Sequence, residues 1–172
     1  MTGAERSVTL RPELESDRAF VAALYASTRE EELAQVEWPP GAREAFLAQQ
    51  FAAQHSEYRA NYPGASFDLI VLDGEPVGRL YVHRRAEEIR VMDLALLPHA
   101  RRAGTGTIAL GRVLEEARRT GLPVTIHVER FNRALSFYER LGFRLREDRG
   151  VYLFLEWRPE ADAGAEASCS TG

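Results

Sequence analysis

Apolar residues along this chain recur with two periods, near two and near 3.6 residues, and the switching between them predicts the elements. Val8 to Leu10 forms a short apolar strand ending at Arg11-Pro12, and Ser16 offers an N-cap to a helix that runs to Ser27 with Phe20 and Leu24 facing inward. An acid-rich stretch, Arg29 to Trp38, stops at Pro39-Pro40-Gly41. Ala42 to Tyr58 follows as a helix with Phe46, Leu47 and Phe51 at core-facing spacing, and Pro63-Gly64 breaks it. Phe67 to Leu72 and Pro76 to His83 read as strands joined through Asp73-Gly74-Glu75, because Asp-Gly accepts the positive φ of a hairpin turn. Ile89 to Leu97 is a further strand. Leu110, Val113, Leu114 and Ala117 fall at i, i+3, i+4 and i+7, which predicts an amphipathic helix from Thr107 to Thr120 with Gly121 at C′. Val124 to Val128 reads as a strand and Asn132 to Leu141 as a helix stopped by Gly142. Two strands, Phe143 to Arg146 and Val151 to Trp157, close around an Asp-Arg-Gly turn.

The resulting order, β-α-α-β-β-β-α-β-α-β-β, argues for an α/β (α+β) fold with a mixed central sheet and helices on both of its faces. A length of 172 residues suits one domain. We assign it to residues 1–158 and expect the Ala-, Glu-, Gly- and Ser-rich stretch 159–172 to be a disordered tail.

Composition narrows the function. The 22 basic residues against 26 acidic ones leave a net charge of −4, so the broad positive field that draws a domain onto nucleic acid is missing. No apolar run approaches the roughly 18 residues that cross a bilayer, so no membrane partner is expected. The chain has no lysine, which excludes Schiff-base chemistry and a Walker-type phosphate lysine. Its one cysteine, Cys169, has no partner for an intramolecular disulfide, and its place in the tail argues against a thiol nucleophile. The polar first residues do not read as a signal peptide, and a cytoplasmic location is the expectation. No metal is expected.

The segment Leu97-Pro98-His99-Ala100-Arg101-Arg102-Ala103-Gly104-Thr105-Gly106-Thr107 leads from a strand into a helix, and its chemistry suits a pyrophosphate. Two glycines let the backbone approach a ligand closely, unpaired N–H groups gather at the helix N-terminus, and two arginines stand alongside. A glycine-punctuated turn with solvated arginines would show the same letters. Gly104-x-Gly106-x-x-Ala109 also fits a dinucleotide fingerprint with Glu129 as ribose ligand, but there the glycine turn follows the strand directly, and here Pro98 to Ala103 intervene.

A second segment, Val128-Glu129-Arg130-Phe131-Asn132-Arg133-Ala134-Leu135-Ser136-Phe137-Tyr138-Glu139-Arg140-Leu141-Gly142-Phe143, separates these readings. With Arg101-x-x-Gly104-x-Gly106 it closely resembles the GNAT family of acetyl-CoA-dependent N-acetyltransferases, over roughly Val8 to Trp157. The first segment is similar to that family's R/Q-x-x-G-x-G/A loop and the second to its N-x-x-A-x-x-F/Y-Y-x-x-x-G-F region. The opening Leu10-Arg11-Pro12 with Asp17 also has the look of the family.

The resemblance implies acetyl-CoA as cosubstrate. Its pyrophosphate would lie on the backbone of Arg102, Ala103, Gly104, Thr105, Gly106 and Thr107, with Arg101 fixing the loop or the phosphates. Leu94, Ala95 and Leu96 would pair with the pantetheine amides, on strands that in the family splay into a cleft. Asn132 would bond the pantetheine arm and Tyr138 would protonate the departing thiolate. The sequence departs from the common form at Arg102, often glycine, and at Thr105, often aliphatic. The family is also often dimeric, so a homodimer is among the expected partners.

Transfer to a primary amine needs a proton acceptor, since an amine near pKa ~10 is mostly protonated at neutral pH. Asp93 interrupts an apolar strand, where it either faces the cleft or pairs with an arginine such as Arg90. Glu129, His83, His127 and ordered water are the other candidates. Asn132 doubles as an N-cap candidate, and Tyr138 also has the placing of a packed core tyrosine. Glu30-Glu31-Glu32 with Glu37 would suit a cationic acceptor but also reads as a solvated helix end, and Trp38 either lines an acceptor pocket or anchors its loop. The expected activity is N-acetylation of a small-molecule or peptide amine in a ternary complex. A non-catalytic acyl-CoA sensor and a nicotinamide-dependent oxidoreductase are the rivals.

Overall fold

The computed structural model describes residues 6–160. Seven strands form a mixed sheet in the order β1-β2-β3-β4-β5-β7-β6. They are β1 Val8–Pro12, β2 Ser66–Leu72, β3 Glu75–Arg84, β4 Ile89–Leu96, β5 Val124–Glu129, β6 Arg144–Arg149 and β7 Tyr152–Trp157. The helices are α1 Arg18–Leu33, α2 Ala42–Asn61, α3 Thr105–Thr120 and α4 Leu135–Arg140, with 3-10 turns at Glu15–Asp17 and Pro98–Ala100. The expected element order is therefore present throughout. The tail beyond Glu160, with Cys169, lies outside the described residues. Among the described residues no helix is long and apolar enough to cross a membrane.

The chain divides into two compact units. The first runs to Arg84 and resumes over Val91–Gly111; the second takes Arg85–Arg90 and continues from Arg112. In the first, β1, β2 and β3 pair antiparallel, with Leu10 opposite Ile70 and Phe67 opposite Tyr81. Its core joins Val21 and Tyr25 of α1 to Phe51 of α2 and Leu69 of β2, with Phe20 and Leu47 packed on the edge. Burying a side chain of this size contributes about 1.5–3 kcal/mol. In the second unit β7 pairs antiparallel with both β5 and β6. All four residues that defined the α3 stripe, Leu110, Val113, Leu114 and Ala117, are buried.

Boundaries moved where local polar chemistry overrides the pattern. Ser16 does not cap α1: Asp17 holds the N-cap position without a side-chain bond to the helix, and its carboxylate instead closes the preceding 3-10 turn, accepting the Leu14 N–H at 2.8 Å and both Arg11 terminal nitrogens at 2.8 and 2.9 Å. The helix then continues past Ser27 to Leu33, because nothing before Pro39 forbids it. Trp38 closes this corner, its indole N–H reaching the Leu33 carbonyl at 3.0 Å and its ring lying 5.3 Å from that of Phe46. It anchors the loop. Asn132 is not the N-cap of α4, a place taken by Ala134; its Oδ1 accepts the Ala134 N–H at 2.8 Å, and this local turn delays the helix to Leu135.

Candidate active site

The loop that follows β4 is tied to the sheet where it begins and turned by left-handed residues where it ends. The Leu97 N–H holds the strand end to the Val77 carbonyl of β3 at 2.8 Å, and the Pro98–Ala100 turn carries the chain outward. Arg101 folds back and donates its Nε to the Leu96 carbonyl at 3.0 Å, so it fixes the loop to the strand it leaves. Arg102 has φ +63° and Gly104 φ +81°, and these two left-handed residues swing the chain into α3. The Gly104 carbonyl accepts the Ile108 N–H at 3.0 Å, which makes Gly104 the N-cap residue. Helix geometry leaves the N–H groups of the following turn, from Thr105 through Thr107, without intrahelical acceptors.

Arg101, Arg102, Ala103 and Gly104 are exposed, Thr105 and Gly106 are buried, and Thr107 is exposed again. A side chain at Gly104 would meet nothing within 4 Å, so the space before the helix is open. Open room, oriented N–H groups and the positive end of a four-turn helix fit a pyrophosphate. The position where the family often has glycine, Arg102, adopts the backbone angle that glycine adopts without cost. Because a left-handed residue with a Cβ costs roughly 1–2 kcal/mol, Arg102→Gly is expected to raise stability by about 1 kcal/mol in chemical denaturation.

Upstream on β4, Asp93 is an ion-pair partner, but not of Arg90. Arg90 bonds Glu88 at 3.0 Å, Thr125 at 2.8 Å and the His127 ring at 3.1 Å. The partner of Asp93 is Arg79 on β3, at 2.6 Å, with Arg79 only 4% exposed and Asp93 18%. The same Arg79 nitrogen donates to Gln54 of α2 at 2.9 Å, and the Tyr58 hydroxyl of α2 stands 3.5 Å from the Asp93 carboxylate. The Tyr81 ring receives Arg79 at 4.8 Å, and its hydroxyl donates to Glu13, which also binds Arg59 at 3.0 Å. Burial, with the Asp93 charge behind it, pushes the Tyr58 phenol well above its ordinary range; burial does the same to Tyr81. Both stay neutral donors at any physiological pH.

Arg79, Gln54, Tyr58, Tyr81 and Glu13 were missed in the sequence. The available signal was an arginine inside an apolar strand and, on α2, a polar and an aromatic residue at 54 and 58, four residues apart on one helix face.

In the second unit Glu129 ends β5 exposed, and Asn132 is exposed with its side chain occupied by the turn described above. Tyr138 is 4% exposed, edge-on to Phe137 at 5.3 Å and to Phe143 at 5.6 Å. Its ring is core, whatever its hydroxyl does. His127 lies between Arg90 and Arg149 at 3.1 and 3.0 Å; burial first and these two charges second lower its pKa. No group of three His, Cys, Asp or Glu among the described residues could hold a metal ion.

No curated protein matches the sequence. Solved structures do share the fold. The PaiA N-acetyltransferase of Thermoplasma acidophilum, solved with coenzyme A, superposes at TM-score 0.69 and 16% identity, covering 88% of this chain and 99% of its own. An acetyltransferase from Thermus thermophilus gives 0.66 at 21%, covering 88% and 97%. The ribosomal-protein-S18-alanine N-acetyltransferase of Escherichia coli gives 0.58 at 15%, covering 92% and 98%. The model of the Acetyltransferase (GNAT) family matches residues 21–143, a span that holds the Arg101-to-Thr107 loop and the Asn132-to-Phe143 region alike, and the chain belongs to that family.

Proposed function

We propose that this protein transfers an acetyl group from acetyl-CoA directly to a primary amine of a small molecule or peptide. The observation that carries the reading is the loop from Arg101 to Thr107: two left-handed residues, an arginine tying it to β4, and a helix N-terminus opening on free space. Coenzyme A in the Thermoplasma relative supports the donor, and the alanine acceptor named for the Escherichia coli relative supports an amine.

In this proposal the loop backbone and the first turn of α3 hold the donor's pyrophosphate, and Leu94 to Leu96 hold its pantetheine arm together with Asn132. A bound donor supplies a thioester carbonyl, and oriented backbone N–H groups of β4 stabilise the oxyanion formed on attack. Asp93, already the counter-ion of Arg79, attracts and orients the acceptor's ammonium group. The ammonium's proton leaves to solvent through ordered water before the amine attacks. Tyr138 protonates the thiolate that departs.

Calorimetric titration with acetyl-CoA tests the donor half. Gly104→Asp and Gly104→Asn are isosteric and both tolerate positive φ, so their difference isolates charge. The aspartate is expected to weaken binding at least tenfold relative to the asparagine, equivalent to about 1.4 kcal/mol. Equal affinities would remove the pyrophosphate from this loop. In an amine-acceptor screen, Tyr138→Phe is expected to lower kcat about 100-fold with donor affinity unchanged. Saturable donor binding with no turnover on any amine would leave an acyl-CoA sensor in its place.

A further inference from the structure

On the first unit, away from the donor loop, a cavity of about 110 Å³ is lined by Glu13, Leu14, Glu15, Arg18, His55 and Arg59. One water needs about 10–15 Å³, so there is room for a small organic molecule. Two of the charges are settled internally, Glu13 with Arg59 at 3.0 Å, and Glu13 also takes the Tyr81 hydroxyl. Two are not. Among the described residues, Glu15 and Arg18 have no hydrogen bond or ion pair with any side chain, although three positions apart in sequence and walls of the same cavity.

Arg18 is nonetheless held in place, its guanidinium 5.9 Å over the buried Phe51 ring, as Arg59 is held 4.5 Å over Phe67. Stacked guanidiniums lose little freedom when a carboxylate docks. A lone anion would meet the Glu15 charge and a lone cation the Arg18 charge. A molecule with both signs meets neither penalty.

We propose that this cavity binds a free α-amino acid as its zwitterion, carboxylate on Arg18 and ammonium on Glu15, with a small side chain against Leu14. The cavity adjoins the Asp93 cluster through Glu13, which takes the Tyr81 hydroxyl, but its occupancy needs no turnover. His55, on the cavity wall, is a built-in reporter. Its pKa is lowered by burial first and then by Arg59 and Arg18, against the opposing pull of Glu13 and Glu15. A carboxylate arriving at Arg18 cancels part of that positive field, and the ammonium at Glu15 cancels only the weaker opposing pull, so the net shift of the His55 pKa on binding is upward.

The test is an NMR titration of the His55 ring in the full chain at constant ionic strength, with L-alanine, propionate and ethylamine as probes and the exposed His99 as internal control. Alanine is expected to move His55 saturably and to raise its pKa, while each single-charge fragment binds at least tenfold more weakly, about 1.4 kcal/mol. Arg18→Gln and Glu15→Gln, both at exposed positions, should each reduce alanine affinity by a similar factor while leaving the fold's spectrum intact. Propionate matching alanine, Glu15→Gln without effect, or no saturable shift of His55 would each overturn the proposal.

Discussion

Gly78→Ala is expected to be among the most damaging single-methyl additions in this protein. Gly78 lies in the middle of β3, opposite Ile70 of β2, where the β2–β3 register slips between Ile70 and Val71. Its backbone is ordinary; the constraint is space. A Cβ there would drive into the Ala95 carbonyl oxygen and sit 2.6 Å from Leu96 Cδ2 and 3.3 Å from Leu96 Cα. Leu96 Cδ2 can rotate away, but the Ala95 carbonyl is backbone of β4. Relief therefore requires the strand itself to move.

Overpacking a tight interior costs about 1–3 kcal/mol, and a displaced backbone places this case at the upper end. In a chain of this size, 3 kcal/mol lowers Tm by roughly 6–12 °C. Because Ala95 and Leu96 belong to the stretch that would carry the pantetheine amides, acetyl-CoA affinity should fall at least tenfold at temperatures where the variant is folded. A thermal melt read beside donor titration separates the two losses. A variant with wild-type Tm would mean that β4 yields freely at Ala95.

That glycine marks where sequence reading reached and where it stopped. Elements defined by a period were legible: the α3 stripe, the Asp73-Gly74 hairpin and the loop between β4 and α3 stand where hydrophobic spacing and turn chemistry put them. An isolated glycine within a strand does signal a close backbone approach, but only the register of β3 against β4 says which backbone approaches.

The same gap explains the wrong partner for Asp93. Arg90 lies three residues away in sequence on the same strand, where side chains of odd separation point to opposite faces. Arg79 is fourteen residues away across a hairpin whose register no local pattern encodes. α2 was harder still. Of its predicted core residues Phe51 is buried, Leu47 partly so and Phe46 is 38% exposed; toward its C-terminus Gln54, Tyr58 and Arg59 take up polar contacts. A helix docked this way leaves little trace in a hydrophobic periodicity.

The Arg79–Asp93 pair should respond asymmetrically to the loss of its two members. Arg79 is 4% exposed and its Nε is buried with no hydrogen-bond partner, so the guanidinium already has little beyond Asp93 and Gln54 to compensate its burial. Asp93→Asn removes the counter-charge and leaves a buried cation. Breaking a buried pair from one side costs about 3–5 kcal/mol, and the 18% exposure of Asp93 favours the lower end. Arg79→Met leaves instead a carboxylate that water can reach at its exposed edge and removes the orphaned Nε as well, for an expected cost of about 1–2 kcal/mol.

The double variant, with neither charge, should be more stable than Asp93→Asn alone, giving a coupling energy above about 1 kcal/mol in a denaturation cycle. Additive losses would show that the two groups do not support each other. Catalysis divides the roles in the opposite direction. If Asp93 draws in the acceptor's ammonium, Asp93→Asn raises the acceptor KM far more than it lowers kcat, and the pH dependence of kcat keeps its acidic limb. If the carboxylate itself takes the proton, kcat falls about 100-fold or more and that limb disappears. Arg79→Met serves as the internal standard, because it unlocks the carboxylate without removing it: a charge-orienting Asp93 then raises the acceptor KM through mobility, while a proton-accepting Asp93 lowers kcat through the same loss of position.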